Sequence, residues 1–124
     1  FRNVTGVQTC ALPIYCGPQV NPDRIRSQME GSVVMGISLA TLGEISFEAG
    51  RVQQDNFDGY ELTRIDAAPK ITEVHLVGGG NWNAPPGGVG EPGVPPVAPA
   101  LCNAIHAATG KRIRSLPIRD QIQS

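Results

Sequence analysis

The sequence predicts an α+β fold in which two helices accompany a few short strands. Apolar residues recur every three or four positions after Pro22, which is the period of an amphipathic helix. Polar and apolar residues alternate over 44–48, and β-branched residues are concentrated in 71–77, as is typical of strands. The 124 residues are too few for two domains, and the sequence shows neither repeats nor heptads.

The first helix is expected over about 22–42. Asn21 offers a side-chain acceptor at the helix start, and Pro22 suits the first turn. Gly31 and Gly36 lie in the helix interior, where each costs about 1 kcal/mol relative to alanine. We infer that a neighbouring backbone or a ligand approaches the helix closely at these glycines.

Short strands are expected at three places. Residues 44–54 predict a hairpin that turns at Ala49–Gly50. Residues 71–77 predict a second strand region, and 111–118 predict a short edge strand closed by a proline.

A second helix is expected to follow a loop rich in glycine and proline at 78–99. It should begin at about Pro95 or Pro96 and end at Gly110, since glycine commonly ends helices. The last six residues, 119–124, are expected to form a frayed tail.

Composition excludes several classes of function. Ten basic and eleven acidic residues give a formal net charge of -1, so the chain lacks the positive surface that nucleic acids or anionic lipids require. No apolar run approaches the ~20 residues that span a bilayer. His75 and His106 lack the spacing of metal ligands, and the three cysteines form no C-x-x-C motif, so no metal-ligating residue is predicted.

The glycine- and proline-rich loop contains one carboxylate, Glu91. Its glycines permit unusual dihedral angles and close backbone approach, while its prolines restrict the unfolded chain. A carboxylate held on such a loop could act as a general base. An acidic residue that precedes a helix and is stabilised by the helix dipole is the alternative, and the loop alone does not decide between the two.

Several motifs together resemble one enzyme family. They are Cys16-Gly17, Val20-Asn21-Pro22, Gln28-Met29-Glu30-Gly31, Gly88-x-Gly90-Glu91-Pro92-Gly93, Ala98-Pro99-Ala100 and Asn103-Ala104-Ile105. In combination they resemble the C-terminal end of the large subunit of molybdenum hydroxylases, the xanthine dehydrogenase/aldehyde oxidase family. Within that family, the segments around Glu91 and at 108–117 most resemble the isoquinoline 1-oxidoreductase β-subunit branch.

The resemblance implies a fold, a cofactor and partners. It implies that 15–118 are the C-terminal part of the second molybdopterin-binding domain, followed by the tail at 119–124. The implied cofactor is molybdenum-molybdopterin in its cytosine dinucleotide form. The implied partners are the missing remainder of the large subunit and a small subunit with [2Fe-2S] clusters, and the piece alone would be inactive.

The resemblance also implies roles for four residues. Glu91 corresponds to the family's active-site glutamate, the base in an oxidation of an aldehyde or N-heteroaromatic that takes its oxygen from water. Gln28 corresponds to a glutamine that hydrogen-bonds the pterin, and Gly31 and Gly90 would let the cofactor come close. Met35 departs from many xanthine-type relatives, which carry glutamine at this position, so a polar contact there is not expected.

The first helix should therefore present one group of residues together. We expect Gln28, Gly31 and Gly36 to lie near one another, directed toward a cavity or a missing partner. Residues three and four apart share one side of a helix, so Gln28 and Gly31 lie on the same side as Met35, with Gly36 one position further round.

The N-terminal segment is expected to be foreign to the fold. Residues 4–14 resemble the in-frame translation of a common sequencing adapter, and the chain starts with Phe1. We therefore assign 1–14 to a non-native segment and expect the true N-terminus to be missing.

Two other functions remain open on sequence grounds. One is a small stand-alone binding module that docks through the loop and an exposed strand edge. The other is the large subunit of a carbon-monoxide dehydrogenase, a branch of the same superfamily.

Deletion of 1–14 tests the assignment of the N-terminal segment. If the segment makes no core contacts, the free energy of unfolding should change by no more than about 0.5 kcal/mol, as for surface changes. Urea denaturation of the two chains measures this difference. A cooperative loss of folding would show that the segment is real structure.

Overall fold

A computed structural model describes residues 14–78 and 81–122, and the N-terminal residues 1–13 lie outside the described part. The described residues contain two α-helices and one two-stranded sheet, which agrees with the α+β class. In chain order the elements are α1 (Pro22–Thr41), β1 (Phe47–Glu48), β2 (Arg51–Val52), α2 (Val97–Thr109) and a 3-10 turn (Arg119–Ile122).

Helix α1 begins and ends almost where the sequence predicts. The Asn21 side chain accepts a hydrogen bond from the Arg24 N–H at 3.1 Å, which satisfies a donor that the helix leaves free at its first turn. At the other end, the N–H groups of Leu42 and Gly43 both donate to the Ser38 carbonyl, at 3.0 and 2.9 Å. Local capping therefore accounts for both helix boundaries.

The predicted hairpin is present but short. Phe47 pairs with Val52 and Glu48 with Arg51 in an antiparallel ladder. The two-residue loop has positive φ at both positions, 49° at Ala49 and 79° at Gly50, as a type I′ turn requires. All four strand residues are exposed, so the turn rather than core packing defines this element.

The two other predicted strands are wrong. Residues 71–77 and 111–118 are irregular, and β1 and β2 form the sheet that the described residues contain. Ile71 is 77% exposed and Val77 is 90% exposed. A β-branched run favours a strand only where a partner strand takes up its backbone hydrogen bonds, and no part of the described chain pairs with these segments.

Residues 119–122 of the predicted tail are more ordered than a frayed end, and 123–124 lie outside the described residues. Ile118 is completely buried, and its N–H donates to the Ala40 carbonyl of α1 at 2.8 Å. Arg119 forms an ion pair with Glu44 just beyond α1, and the 3-10 turn begins at the same residue. Burial of one isoleucine thus ties this segment to the helices.

The core lies between α1, α2 and this C-terminal segment. Its fully buried residues are Ala40, Ile105 and Ile118, with partly buried apolar side chains packed around them. At Gly36, a Cβ atom would lie 2.5 Å from the Cβ of Val97, the first residue of α2. The expectation that a neighbouring element approaches α1 closely is therefore confirmed at Gly36. The expectation that Gly36 is directed toward a cavity or a missing partner is wrong, because α2 covers it.

The two helix glycines predict opposite effects on stability. Gly31→Ala should raise the free energy of unfolding by up to about 1 kcal/mol, since alanine favours helices and no atom lies within 4 Å of the added Cβ. Gly36→Ala should lower it, because overpacking a core costs about 1–3 kcal/mol and a contact of 2.5 Å outweighs the gain in helix propensity. Chemical denaturation of both variants measures the difference, and a stabilised Gly36→Ala would contradict the close α1–α2 contact.

Candidate functional site

The loop that contains Glu91 is anchored at its start by backbone contacts. The Gly87 N–H donates to the Cys16 carbonyl at 2.9 Å. Gly17 has φ +72°, and a Cβ there would lie 2.9 Å from the Pro85 carbonyl oxygen. Because a side chain would separate the two backbones, glycine at 17 allows the segment before α1 to hold the loop.

The same loop contacts α1 at Gly93, four residues before α2 begins at Val97. Gly93 is buried, and a Cβ there would lie 2.5 Å from the Ser32 Oγ and 3.2 Å from the Met29 Sδ. The loop is therefore held against α1 by a contact that leaves no room for a side chain.

Gln28 and Gly90 come together between these two anchors, and Glu91 follows Gly90 in the chain. A Cβ on Gly90 would lie 3.6 Å from the Gln28 Nε2, so the amide of Gln28 lies beside the residue that precedes Glu91. The Val94 N–H donates to the Glu91 carbonyl at 3.1 Å, which closes a turn over 91–94. We call Gln28, Gly90 and Glu91 the loop–helix site.

The polar groups of the loop–helix site face solvent. Gln28, Gly90 and Glu91 are all exposed. Over 14–78 and 81–122, neither the Glu91 carboxylate nor the Gln28 side-chain amide makes a hydrogen bond or ion pair. An ionised carboxylate accepts hydrogen bonds, and an amide both donates and accepts them, so the site offers complementary groups to a polar ligand.

Gly31 extends this exposed surface along α1. It lies three residues after Gln28, on the same side of the helix, and nothing lies within 4 Å of the position its Cβ would take. The open surface and the adjacent amide fit a flat polar heterocycle such as a pterin, which needs close approach and hydrogen-bond partners.

The alternative for Glu91, an acid at the start of α2, receives no support from the structure. Helix α2 begins at Val97, six residues after Glu91, and its first turn contains no acidic residue. The effect of a helix dipole falls off within the first turn.

Other candidate residues have different surroundings. His75 is exposed and contacts Glu73, with 3.3 Å between Nε2 and Oε2, and Trp82 is 68% exposed. Cys16 and Cys102 are half-buried, and burial raises the pKa of the Cys102 thiol. Among the described residues, no group of three His, Cys, Asp or Glu side chains could hold a metal ion.

The contact between Ser32 and Gly93 was not predicted from the sequence. A signal was present, because Ser32, Gly36 and Ala40 place a small buried residue at every fourth position of α1. Such spacing marks one helix face that another segment can approach closely. The partner of that face depends on the tertiary fold.

Comparison with known proteins identifies the class of protein. A sequence model of the molybdopterin cofactor-binding domain matches residues 6–69, about half of the chain. The chain therefore belongs to the molybdopterin cofactor-binding domain family. Gln28 and Gly31 lie inside the matched residues, whereas Gly90 and Glu91 lie beyond them.

Individual relatives belong to enzymes of the xanthine dehydrogenase/aldehyde oxidase type. The chain is 34% identical over 110 residues to the beta subunit of isoquinoline 1-oxidoreductase from Brevundimonas diminuta, covering 89% of this chain and 13% of that protein. It is 33% identical over 112 residues to a probable xanthine dehydrogenase subunit of Bacillus subtilis, covering 88% and 15%. It is 33% identical over 106 residues to the aldehyde oxidoreductase molybdenum-binding subunit PaoC of Escherichia coli, covering 82% and 14%.

The matches cover only part of the relatives, and the family match covers only part of this chain. This chain spans 13–15% of the length of these three relatives. The family match begins at residue 6 and so includes part of the segment 4–14 that resembles an adapter. Deletion of 1–14 tests whether that segment contributes to the stability of the fold.

No helix in the described part of the chain is both long enough and apolar enough to span a membrane.

The anchor at Gly17 predicts a loss of stability on substitution. Gly17→Ala should lower the free energy of unfolding by about 1–2 kcal/mol or more, because alanine disfavours the left-handed conformation and its Cβ would meet the Pro85 carbonyl. Gly88→Ala on the same loop is the matched control, since nothing lies within 4 Å of its Cβ position. Thermal unfolding compares the two, and equal stabilities would contradict the backbone anchor.

Proposed function

We propose that this chain supplies part of the cofactor site of a molybdenum hydroxylase that oxidises an aldehyde or an N-heteroaromatic compound, with water as the oxygen source. The observation that carries the proposal is the loop–helix site, where the Gln28 amide lies beside Gly90, the residue that precedes Glu91 in the chain. Membership of the molybdopterin cofactor-binding domain family supports the choice of ligand.

Each residue of the site has a proposed part. Gln28 would hydrogen-bond the pterin through its side-chain amide, and Gly31 would let the cofactor lie against α1. Gly90 would keep the space between the loop and Gln28 free of a side chain. Glu91, exposed and without a partner among the described residues, would accept a proton at its carboxylate as the general base.

The proposed cofactor is molybdenum-molybdopterin in its cytosine dinucleotide form. When bound, it supplies the redox centre that takes up electrons from the substrate. The part of this chain would be to bind and orient the cofactor and to hold the base.

The remainder of the large subunit is proposed because this chain covers only 13–15% of the length of the three relatives, and the small subunit is proposed from the resemblance to molybdenum hydroxylases. The remainder of the large subunit would complete the cofactor site, and a small subunit with [2Fe-2S] clusters would receive the electrons. We propose that 15–118 form the C-terminal part of the second molybdopterin-binding domain and that the isolated chain is inactive.

The family match bears on one of the two alternative functions, and the substrate bears on the other. The family match favours the hydroxylase over a stand-alone binding module. A carbon-monoxide dehydrogenase would share the cofactor class, so the substrate distinguishes it. Turnover of aldehydes and N-heteroaromatic compounds by the full-length enzyme, without oxidation of carbon monoxide, is the expected result.

Glu91→Gln tests the proposed base in the full-length large subunit with its cofactor. Glutamine preserves the size of the side chain but cannot accept the proton, so turnover should fall about 10²–10⁴-fold. Molybdenum content should stay unchanged. Gly90→Val should also reduce turnover, because a β-branched side chain restricts the backbone next to Glu91 and would fill the space between the loop and the Gln28 amide.

Glu73→Gln is the matched control for this experiment. The Glu73 carboxylate is exposed, and it contacts the exposed His75. Its neutralisation should leave turnover near the wild-type value. Wild-type turnover by Glu91→Gln with a full complement of molybdenum would refute the proposed role of Glu91.

A further inference from the structure

Two close contacts hold residues 93–97, which lead into α2, along one turn of α1. A Cβ on Gly93 would meet Ser32, with 2.5 Å to its Oγ, and a Cβ on Gly36 would meet Val97 at 2.5 Å. Ser32 and Gly36 are four residues apart, and so are Gly93 and Val97. The spacing of the two contacts is therefore the same along α1 and along residues 93–97, so the two contacts fix the same alignment of these segments.

Ser32 is itself held in place at this contact. It is 5% exposed, and its hydroxyl donates to the Gln28 carbonyl at 2.7 Å. Rotation of the Ser32 side chain away from Gly93 would break this hydrogen bond. The Ser32 Cβ, which the helix backbone fixes in place, would also lie 2.6 Å from the Cβ of any side chain at 93, so the loop rather than Ser32 would be displaced.

Displacement of the loop would move the proposed base. Gly93 lies two residues after Glu91, within the turn closed by the Val94 N–H and the Glu91 carbonyl. Ser32 lies one helical turn after Gln28. The contact thus connects the two elements whose relative position defines the loop–helix site.

We propose that Ser32 and Gly93 are positioning residues, which set the distance between Glu91 and the Gln28 amide. The proposal rests on the proposed function of Glu91. Neither residue needs to touch substrate or cofactor. They affect turnover only by fixing the position of the Glu91 carboxylate.

A size-swap experiment in the full-length, cofactor-loaded enzyme tests the proposal. Gly93→Ala should lower kcat on the order of 10²-fold, the scale expected for a displaced catalytic group, with KM and molybdenum content little changed. Adding Ser32→Gly to Gly93→Ala makes room for the new methyl group and should restore most of kcat. Gly59→Ala is the control, because its Cβ would make only ordinary contacts of 3.6 Å or more.

Two further measurements separate positioning from a general structural defect. The melting temperature of the apo protein should fall in Gly93→Ala and recover in the double variant, which reports the contact without activity. In a Glu91→Gln background, Gly93→Ala should cause no further loss of turnover, since both changes act on the same group. Ser32→Thr crowds Gly93 while retaining a hydroxyl, and serves as a second variant if Gly93→Ala does not fold.

Each outcome bears on a different part of the proposal. Full turnover by Gly93→Ala and Ser32→Thr, with Glu91→Gln inactive, would overturn the positioning role alone. An equal loss from Gly93→Ala with and without Glu91→Gln would also overturn it. Full turnover by Glu91→Gln would instead refute the proposed function on which the inference rests.

Discussion

The close approach of α2 and its preceding loop to the small-residue face of α1 governs the other features of this structure. Val97 packs against Gly36, and Ser32 packs against Gly93, so closely that a Cβ atom on either glycine would clash. Dense packing makes such contacts sensitive to a single methyl group. They align α1 and α2 over the buried Ala40 and Ile105, and they place the turn at 91–94 beside α1.

The core that these contacts organise is small compared with the apolar surface left exposed. Ala40, Ile105 and Ile118 form its buried cluster, whereas residues such as Met35 and Ile65 are 57% and 96% exposed. Large exposed apolar surfaces commonly mark interaction sites. Under the proposed function, the remainder of the large subunit would cover this surface.

The loop–helix site combines a rigid support with open polar groups. Its support comes from buried contacts at Gly17, Gly93 and Ser32, while the Gln28 amide and the Glu91 carboxylate are exposed. Under the proposed function, this division would suit a large cofactor, because backbone contacts hold the loop in place and the hydrogen-bonding capacity of the two side chains is available. None of the loop glycines 87, 88, 90 and 93 has a positive φ, so close approach rather than unusual dihedral angles explains the constrained positions.

Features that depend on neighbouring residues could be predicted from the sequence. Asn21 and Pro22 start α1, Gly110 ends α2, and Ala49–Gly50 makes the hairpin, because caps and turns are satisfied locally. The motif around Glu91 indicated the candidate site, since its residues are contiguous in the chain. The tertiary structure was needed to establish that 71–77 and 111–118 are not strands, that α2 covers Gly36, and that Ser32 meets Gly93. Strand pairing and close packing both depend on partners that are distant in sequence, and local propensity does not predict where those partners lie.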